Sequence, residues 1–167
     1  NVLAQQKQLA FASKTPGRTQ LLNFFELPER VEGQDVVRGY LVDLPGYGFA
    51  KVDDETRERW DLLIGGYLAQ RRMLRGIVIV IDARRGVLPA DETLIDLITA
   101  REQPEPLRLH LLLTKADQLG TMQRRQVLAQ TETRAEELPC PTSVQLFSAL
   151  KREGVDELRE TVLQMLD

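Results

Sequence analysis

Two runs, Gly76–Asp82 (GIVIVID) and Leu107–Thr114 (LRLHLLLT), constrain what this chain can fold into more than any other feature. Both are near-continuous apolar stretches of strand length. Strands of that kind are buried on both faces, as in a parallel sheet covered by helices. Gln20–Leu27 (QLLNFFEL) and Val36–Asp43 (VVRGYLVD) are short and rich in apolar and aromatic residues, with turn-like Pro28 and Gly33 between them. They read as an antiparallel pair joined by a moderate loop. Ser143–Ser148 (SVQLFS) reads as a further strand.

Between the strands the apolar period changes to 3.6. Trp60, Leu63, Ile64, Tyr67 and Leu68 form one helical stripe, and Leu94, Ile95 and Ile98 form another after Asp91. Val127, Leu128, Thr131, Ala135 and Leu138 follow Thr121, and Val155, Leu158, Val162, Met165 and Leu166 close the chain. Asp91 and Thr121 are of the residue types that cap helix N-termini. Strand and helix in alternation predict a doubly wound α/β layer fold, here as a single domain over residues 1–167.

Composition removes several functional classes. With 43% hydrophobic and 28% charged residues the chain has a globular balance. A net charge of -3 does not suit a general nucleic-acid coat, although a local basic patch stays open. Cys140 is the single cysteine, which excludes an internal disulfide and a multi-cysteine zinc site. His110 is the single histidine, so a histidine metal cluster is not expected; within an apolar strand it reads as a core residue. No apolar run reaches the ~20 residues of a membrane helix. No secretory signal is visible, and a cytoplasmic, membrane-independent monomer is expected.

In open α/β sheets ligands gather at the carboxyl ends of the strands, and polar motifs stand there. Val36–Asp43 runs into Asp43-Leu44-Pro45-Gly46. A carboxylate at that point can hold Mg²⁺ through water, and a glycine three residues on lets a backbone N–H approach a phosphate; a plain turn has the same spelling. Leu107–Thr114 runs into Thr114-Lys115-Ala116-Asp117. Its carboxylate can accept hydrogen bonds from the N1–H and exocyclic NH₂ of guanine, while the lysine stem covers the base; the alternative is a solvated loop. Phe147-Ser148-Ala149 follows at the end of the next strand, where small residues with free backbone N–H groups can meet the guanine carbonyl. Upstream, Lys14-Thr15-Pro16-Gly17-Arg18-Thr19-Gln20 supplies a threonine hydroxyl on a loop of the kind that orders around a triphosphate.

In the order TPGRT, DLPG, TKAD, FSA, these elements resemble a GTP-binding G domain of the P-loop NTPase type. The spellings DLPGYG and TPGRTQ are similar to the EngB family of bacterial GTPases, also called YihA or YsxC, and the resemblance runs from about Asn1 to Leu166. It implies a three-layer α/β fold with a mostly parallel sheet and one antiparallel edge strand. It also implies GTP or GDP bound with Mg²⁺, GTP hydrolysis, assistance to assembly of the large ribosomal subunit, contact with that subunit or its RNA, and a link to cell division and septation. By the same resemblance Gly17, Arg18, Thr19, Gln20 and Leu21 form a first switch with Thr19 on Mg²⁺. Asp43, Leu44, Pro45 and Gly46 form a second, with Asp43 on Mg²⁺ through water. Thr114, Lys115, Ala116 and Asp117 select guanine, and Phe147, Ser148 and Ala149 back the base.

The pattern departs from the family in two places. None of the 11 glycines is followed by lysine, so the phosphate loop G-x-x-x-x-G-K-[ST] is not among these residues. The expectation is an N-terminally incomplete G domain, with Asn1–Ala4 the tail of the helix that the phosphate loop opens. In the strand order 2-3-1-4-5-6 the central first strand is then missing, and Val36–Asp43 and Gly76–Asp82 flank a slot ~10 Å wide. The alternative is a degenerate G domain serving as a non-hydrolysing protein- or RNA-binding module. A P-loop ATPase fits poorly, because adenine lacks the N1–H donor that Asp117 would meet. Second, Tyr47 stands after Gly46, where some GTPases carry a water-orienting glutamine, so slow unassisted hydrolysis is expected and no general base is assigned. Arginine outnumbers lysine 17 to 5; Arg57, Arg59, Arg71, Arg72 and Arg75 read either as an RNA contact or as a solvated face paired to Glu55, Glu58 and Asp61.

Overall fold

The computed structural model describes residues 22–44, 62, 64–68, 71–101 and 107–167. The chain divides into two compact units, one over Ala12–Arg71 and one over Arg72–Met165.

In the first unit, β1 (Asn23–Val31) pairs antiparallel with β2 (Gln34–Asp43). The expected moderate loop is instead a two-residue turn, Glu32–Gly33, with φ of 50° and 85°. Two positive φ values are what a type I′ hairpin turn demands, and glycine meets the second at no steric cost. Pro28 is therefore not in the loop. It lies within β1, where the register shifts between Leu27 and Pro28, so that Arg38 is the extra residue on β2. A bulge accommodates a residue with no N–H to donate. Phe24 meets Tyr40 and Tyr67 edge-on, each at 6.4 Å, and the Arg71 guanidinium lies 5.8 Å from both the Phe24 and the Tyr67 ring centres. Ile64 and Leu68 of the expected first helix are buried in a helical turn at residues 64–68. Trp60 and Leu63 lie outside the described residues.

The second unit is a parallel sheet in the order β3-β4-β5, made of β3 (Gly76–Asp82), β4 (Arg108–Thr114) and β5 (Thr142–Leu146). β4 is central, and Leu109 through Leu113 are all buried, as a strand covered on both faces requires. β3 departs from that expectation: Ile79 and Ile81 are buried, but Val80 between them is 60% exposed. Among the described residues its ladder is to β4 alone, and Ile79, Val80 and Ile81 alternate as the side chains of a half-covered strand do.

Three α-helices stand among the described residues of this unit: α1 (Pro89–Thr99), α2 (Thr121–Glu136) and α3 (Val155–Gln164). Each buries most of its predicted stripe, Ile95 and Ile98; Val127, Thr131 and Ala135; Val155, Leu158 and Val162, whereas Leu94, Leu128, Leu138 and Leu166 are half-buried. The caps differ from expectation by a turn position. Asp91 is the third helical residue, where its carboxylate accepts from the Leu88 N–H at 2.7 Å. Thr121 is the first helical residue, and Gln123 Oε1 accepts from Gly120 N–H at 3.1 Å. Both side chains reach back to an N–H that the helix itself cannot satisfy.

His110 is buried in β4, as a core histidine. Its Nδ1 lies 2.8 Å from Ser143 Oγ and its Nε2 lies 3.1 Å from Gln145 Oε1. A carbonyl oxygen can only accept, so Nε2 carries the proton and Nδ1 accepts from the serine. Gln145 in turn donates to the Gly154 carbonyl at 2.5 Å. Gly154 has φ 75°, and a Cβ there would stand 2.6 Å from the Leu146 carbonyl oxygen, so the turn into α3 admits only glycine.

Burial lowers the His110 pKa below its ordinary value, against a smaller opposing effect of Gln145. The unfolded chain then binds the proton first as pH falls. Stability should therefore be fully present above the unfolded value of about 6.5 and decline below it, by at most about 1.4 kcal/mol per pH unit for one proton. Urea unfolding at pH 7.5 and pH 5.5 checks this; His110→Gln should flatten the difference.

Candidate nucleotide-binding site

The polar residues that end β4 and β5 converge through main-chain bonds. Phe147 N–H donates to the Leu113 carbonyl at 2.8 Å, and Ala116 N–H donates to the Phe147 carbonyl at 3.1 Å. The two motifs thus continue the β4–β5 register beyond the sheet. Thr114 ends β4, and its hydroxyl donates to the Ile81 carbonyl at 2.9 Å, which fastens the motif to β3.

Lys115 turns the chain with φ 59° and ψ 29°, a left-handed conformation that non-glycine residues seldom adopt. It leads into a short 3₁₀ turn, Ala116–Gln118. Ala116 is fully buried, and Asp117 is half-buried beside it. Ser148, also fully buried, donates its hydroxyl to Asp117 Oδ1 at 2.5 Å and accepts from Lys151 N–H at 3.0 Å. A carboxylate offers about four lone-pair sites, so Asp117 keeps acceptor capacity on both oxygens while its orientation is held.

The expectation of several free N–H groups in Phe147-Ser148-Ala149 is corrected. Phe147 N–H is spent on Leu113, and Ser148 N–H on the Glu153 carbonyl at 3.1 Å. Ala149, which is exposed, is the remaining donor of the three.

The sequence reading missed Asp82, at the carboxyl end of β3. Arg84 donates to it three times, backbone N–H to Oδ1 at 3.1 Å, Nε to Oδ1 at 2.9 Å and Nη2 to Oδ2 at 2.6 Å. Lys115 Nζ shares Oδ2 at 2.8 Å, and Arg84 Nη1 reaches Gln118 Oε1 at 2.8 Å. The Arg84 hydrogen bond, opposed by burial and reinforced by Lys115, holds the Asp82 carboxyl well below the usual carboxylate range. Lys115 is therefore anchored at its tip, with its stem lying across the end of the sheet. An aspartate closing an apolar run one strand before TKAD is the signal that could have found it.

Of the other expected site residues, Asp43 ends β2 and is half-buried, as is Leu44. Gly17, Arg18, Thr19, Gln20, Leu21, Pro45, Gly46 and Tyr47 lie outside the described residues. Among the described residues no group of three or more His, Cys, Asp or Glu is arranged to hold a metal. No helix among them is long and apolar enough to cross a membrane. Arg84 and Arg124 are engaged within the chain, whereas Glu55, Glu58 and Asp61, expected partners of the arginine-rich stretch, are outside the described residues. Ser148→Ala removes a buried hydrogen bond to a charged acceptor, and unfolding free energy should fall by about 1.5–3 kcal/mol. Chemical denaturation of the variant measures it.

The profile of the family described as "50S ribosome-binding GTPase" matches residues 1–115. The "probable GTP-binding protein EngB" of Methylobacillus flagellatus is 44% identical over 98% of this chain and 72% of its own length. That of Ralstonia nicotianae is 43% identical over 97% of this chain and 69% of its own. Among solved structures, a "probable GTP-binding protein engB" superposes with a TM-score of 0.62 at 18% identity, covering 92% of this chain and 83% of that one. The elongation factor SelB of Methanococcus maripaludis, in complex with a GTP analogue, gives 0.57 at 18% identity over 86% of this chain and 28% of that one. The fold is that of a P-loop GTPase, and the chain belongs to the EngB family of GTP-binding proteins.

Proposed function

We propose that this chain is the guanine-selecting part of a single GTP-binding domain that works as a switch in assembly of the large ribosomal subunit. The observation that carries the reading is the Asp117 carboxylate held by the buried Ser148 hydroxyl at the ends of β4 and β5. A carboxylate in that setting suits the paired N1–H and NH₂ donors of guanine, with Ala149 N–H available to the carbonyl on the same edge. Lys115, anchored on Asp82, offers its stem to a face of the base. The description of the matching family as ribosome-binding supports the large subunit as partner.

Asp43 and Thr19 are the proposed Mg²⁺ residues, Asp43 acting through water. Hard oxygen donors suit this ion, which keeps several waters and takes the rest of its shell from substrate phosphates. The Asp43 carboxylate, half-buried at a strand end, has no hydrogen-bond partner among the described residues and fits such a role. When bound, the ion supplies charge neutralisation at the phosphates. Gly17–Leu21 and Asp43–Gly46 are the proposed switches. With Tyr47 after Gly46, slow hydrolysis without a partner is part of the proposal.

Base selection is tested by Asp117→Asn in the full-length polypeptide. One acceptor becomes a donor, which matches the 2-carbonyl of xanthine. GTP affinity should fall about ten- to a hundredfold, equivalent to roughly 1.5–3 kcal/mol, and xanthosine triphosphate affinity should rise. Unchanged GTP affinity removes Asp117 from the base pocket. The switch is tested by Thr19→Ala, which should weaken GTP binding more than GDP binding in paired titrations, because its proposed partners are Mg²⁺ and the γ-phosphate. Equal losses for both nucleotides would count against it.

A further inference from the structure

The two base-facing motifs are joined a second time, from behind. Arg124, one turn into α2, donates Nε to the Ala116 carbonyl at 2.9 Å. Its other two nitrogens form a fork on Glu153, Nη1 to Oε1 at 2.8 Å and Nη2 to Oε2 at 2.9 Å. Glu153 is paired through its main chain with Ser148 in both directions, at 3.0 and 3.1 Å. Ser148 then holds Asp117. The bonds close a ring: Ala116, Arg124, Glu153, Ser148, Asp117. Arg124 and Glu153 are both part-buried, which limits the competition of water for the fork.

This arrangement is more than a surface ion pair. A lone exposed pair contributes little, but a bidentate arginine–carboxylate pair fixes direction as well as distance. Here one guanidinium spans a carbonyl of the TKAD motif and a carboxylate rooted in the turn after FSA. The bonds of Arg124 and Glu153 end on Ala116 and Ser148, the chain neighbours of Asp117 and Ala149, and so brace the spacing of the two motifs that a purine edge would meet. We infer that Arg124 and Glu153 are positioning residues for guanine selection, acting through Ala116 and Ser148. The inference rests on the nucleotide reading proposed above and deepens it.

The test measures affinity of the full-length polypeptide for GDP and for IDP, whose hypoxanthine lacks the exocyclic NH₂. A well-oriented Asp117 rewards that NH₂, so the GDP-to-IDP affinity ratio reports orientation, whereas a merely structural residue would alter thermal stability and leave the ratio alone. Arg124→Ala and Glu153→Ala should each lower the ratio roughly three- to tenfold. The double variant should do no worse than either single one, since both break one ring. Should an alanine variant fail to fold, Arg124→Lys and Glu153→Gln, which each retain part of the pair, carry the same measurement and should show a smaller drop. A ratio unchanged in the folded variants overturns the inference, provided Asp117→Asn still turns the protein toward xanthine. If Asp117→Asn has no effect on base preference, the nucleotide reading itself fails, and the two failures are thereby told apart.

Discussion

The burial of β4 is the constraint on which the rest of the second unit depends. Among the described residues it is the one strand there with ladders on both sides, and five consecutive residues from Leu109 to Leu113 are withdrawn from water. A strand so enclosed has little freedom to slip, because a one-residue shift would exchange every side chain between faces. Its carboxyl end is correspondingly well fixed. Thr114, Lys115, Ala116 and Asp117 inherit that precision, and the bonds from Leu113 to Phe147 and from Phe147 to Ala116 pass it to the next motif. A flexible loop would spend binding energy on ordering itself before it could discriminate between bases.

Much of this was legible in the amino-acid order. The apolar runs mark β3 and β4 to the residue or nearly so, and the helical stripes coincide with the buried faces of α1, α2 and α3. The motifs TKAD and FSA stand at the strand ends where an α/β sheet collects ligands. What escaped was local geometry that depends on partners distant in sequence. Pro28 reads as a turn residue, yet a bulge opposite Arg38 keeps it in a strand. Asp91 and Thr121 have the chemistry of caps, yet stand inside their helices because other residues fill the capping position. Asp82 looks like the polar end of an apolar run, and only the fold brings Lys115 within 2.8 Å of it. Ser148 and Glu153 lie five residues apart, but their reciprocal main-chain bonds follow from the left-handed turn at Arg152 and Gly154, not from any periodicity.

The polar groups around the buried His110 form a chain, each member satisfying the next. His110 accepts from Ser143 and donates to Gln145, which donates to Gly154. An unpaired group in that setting would cost the full penalty of lost hydration. The same chain tethers β4 to the start of α3, so the turn that carries Phe147-Ser148-Ala149 is gripped at both ends. The glycine at 154 is essential to this, since a side chain there would collide with Leu146.

The bulge in the hairpin has a separate consequence. Phe24, Val31, Val36, Val37 and Tyr40 are all exposed, an apolar surface on an extended ribbon. Ribbons of that composition invite a second chain to lie alongside and continue the ladder. Along β1, however, Pro28 has no N–H to offer a ladder, and opposite it the extra residue Arg38 bends the partner strand β2. The tracts on either side of the proline, Asn23–Leu27 and Glu29–Val31, are each too brief to hold a partner firmly. The proline that breaks the pattern of the strand thereby keeps its greasy neighbours from seeding fibrous self-association.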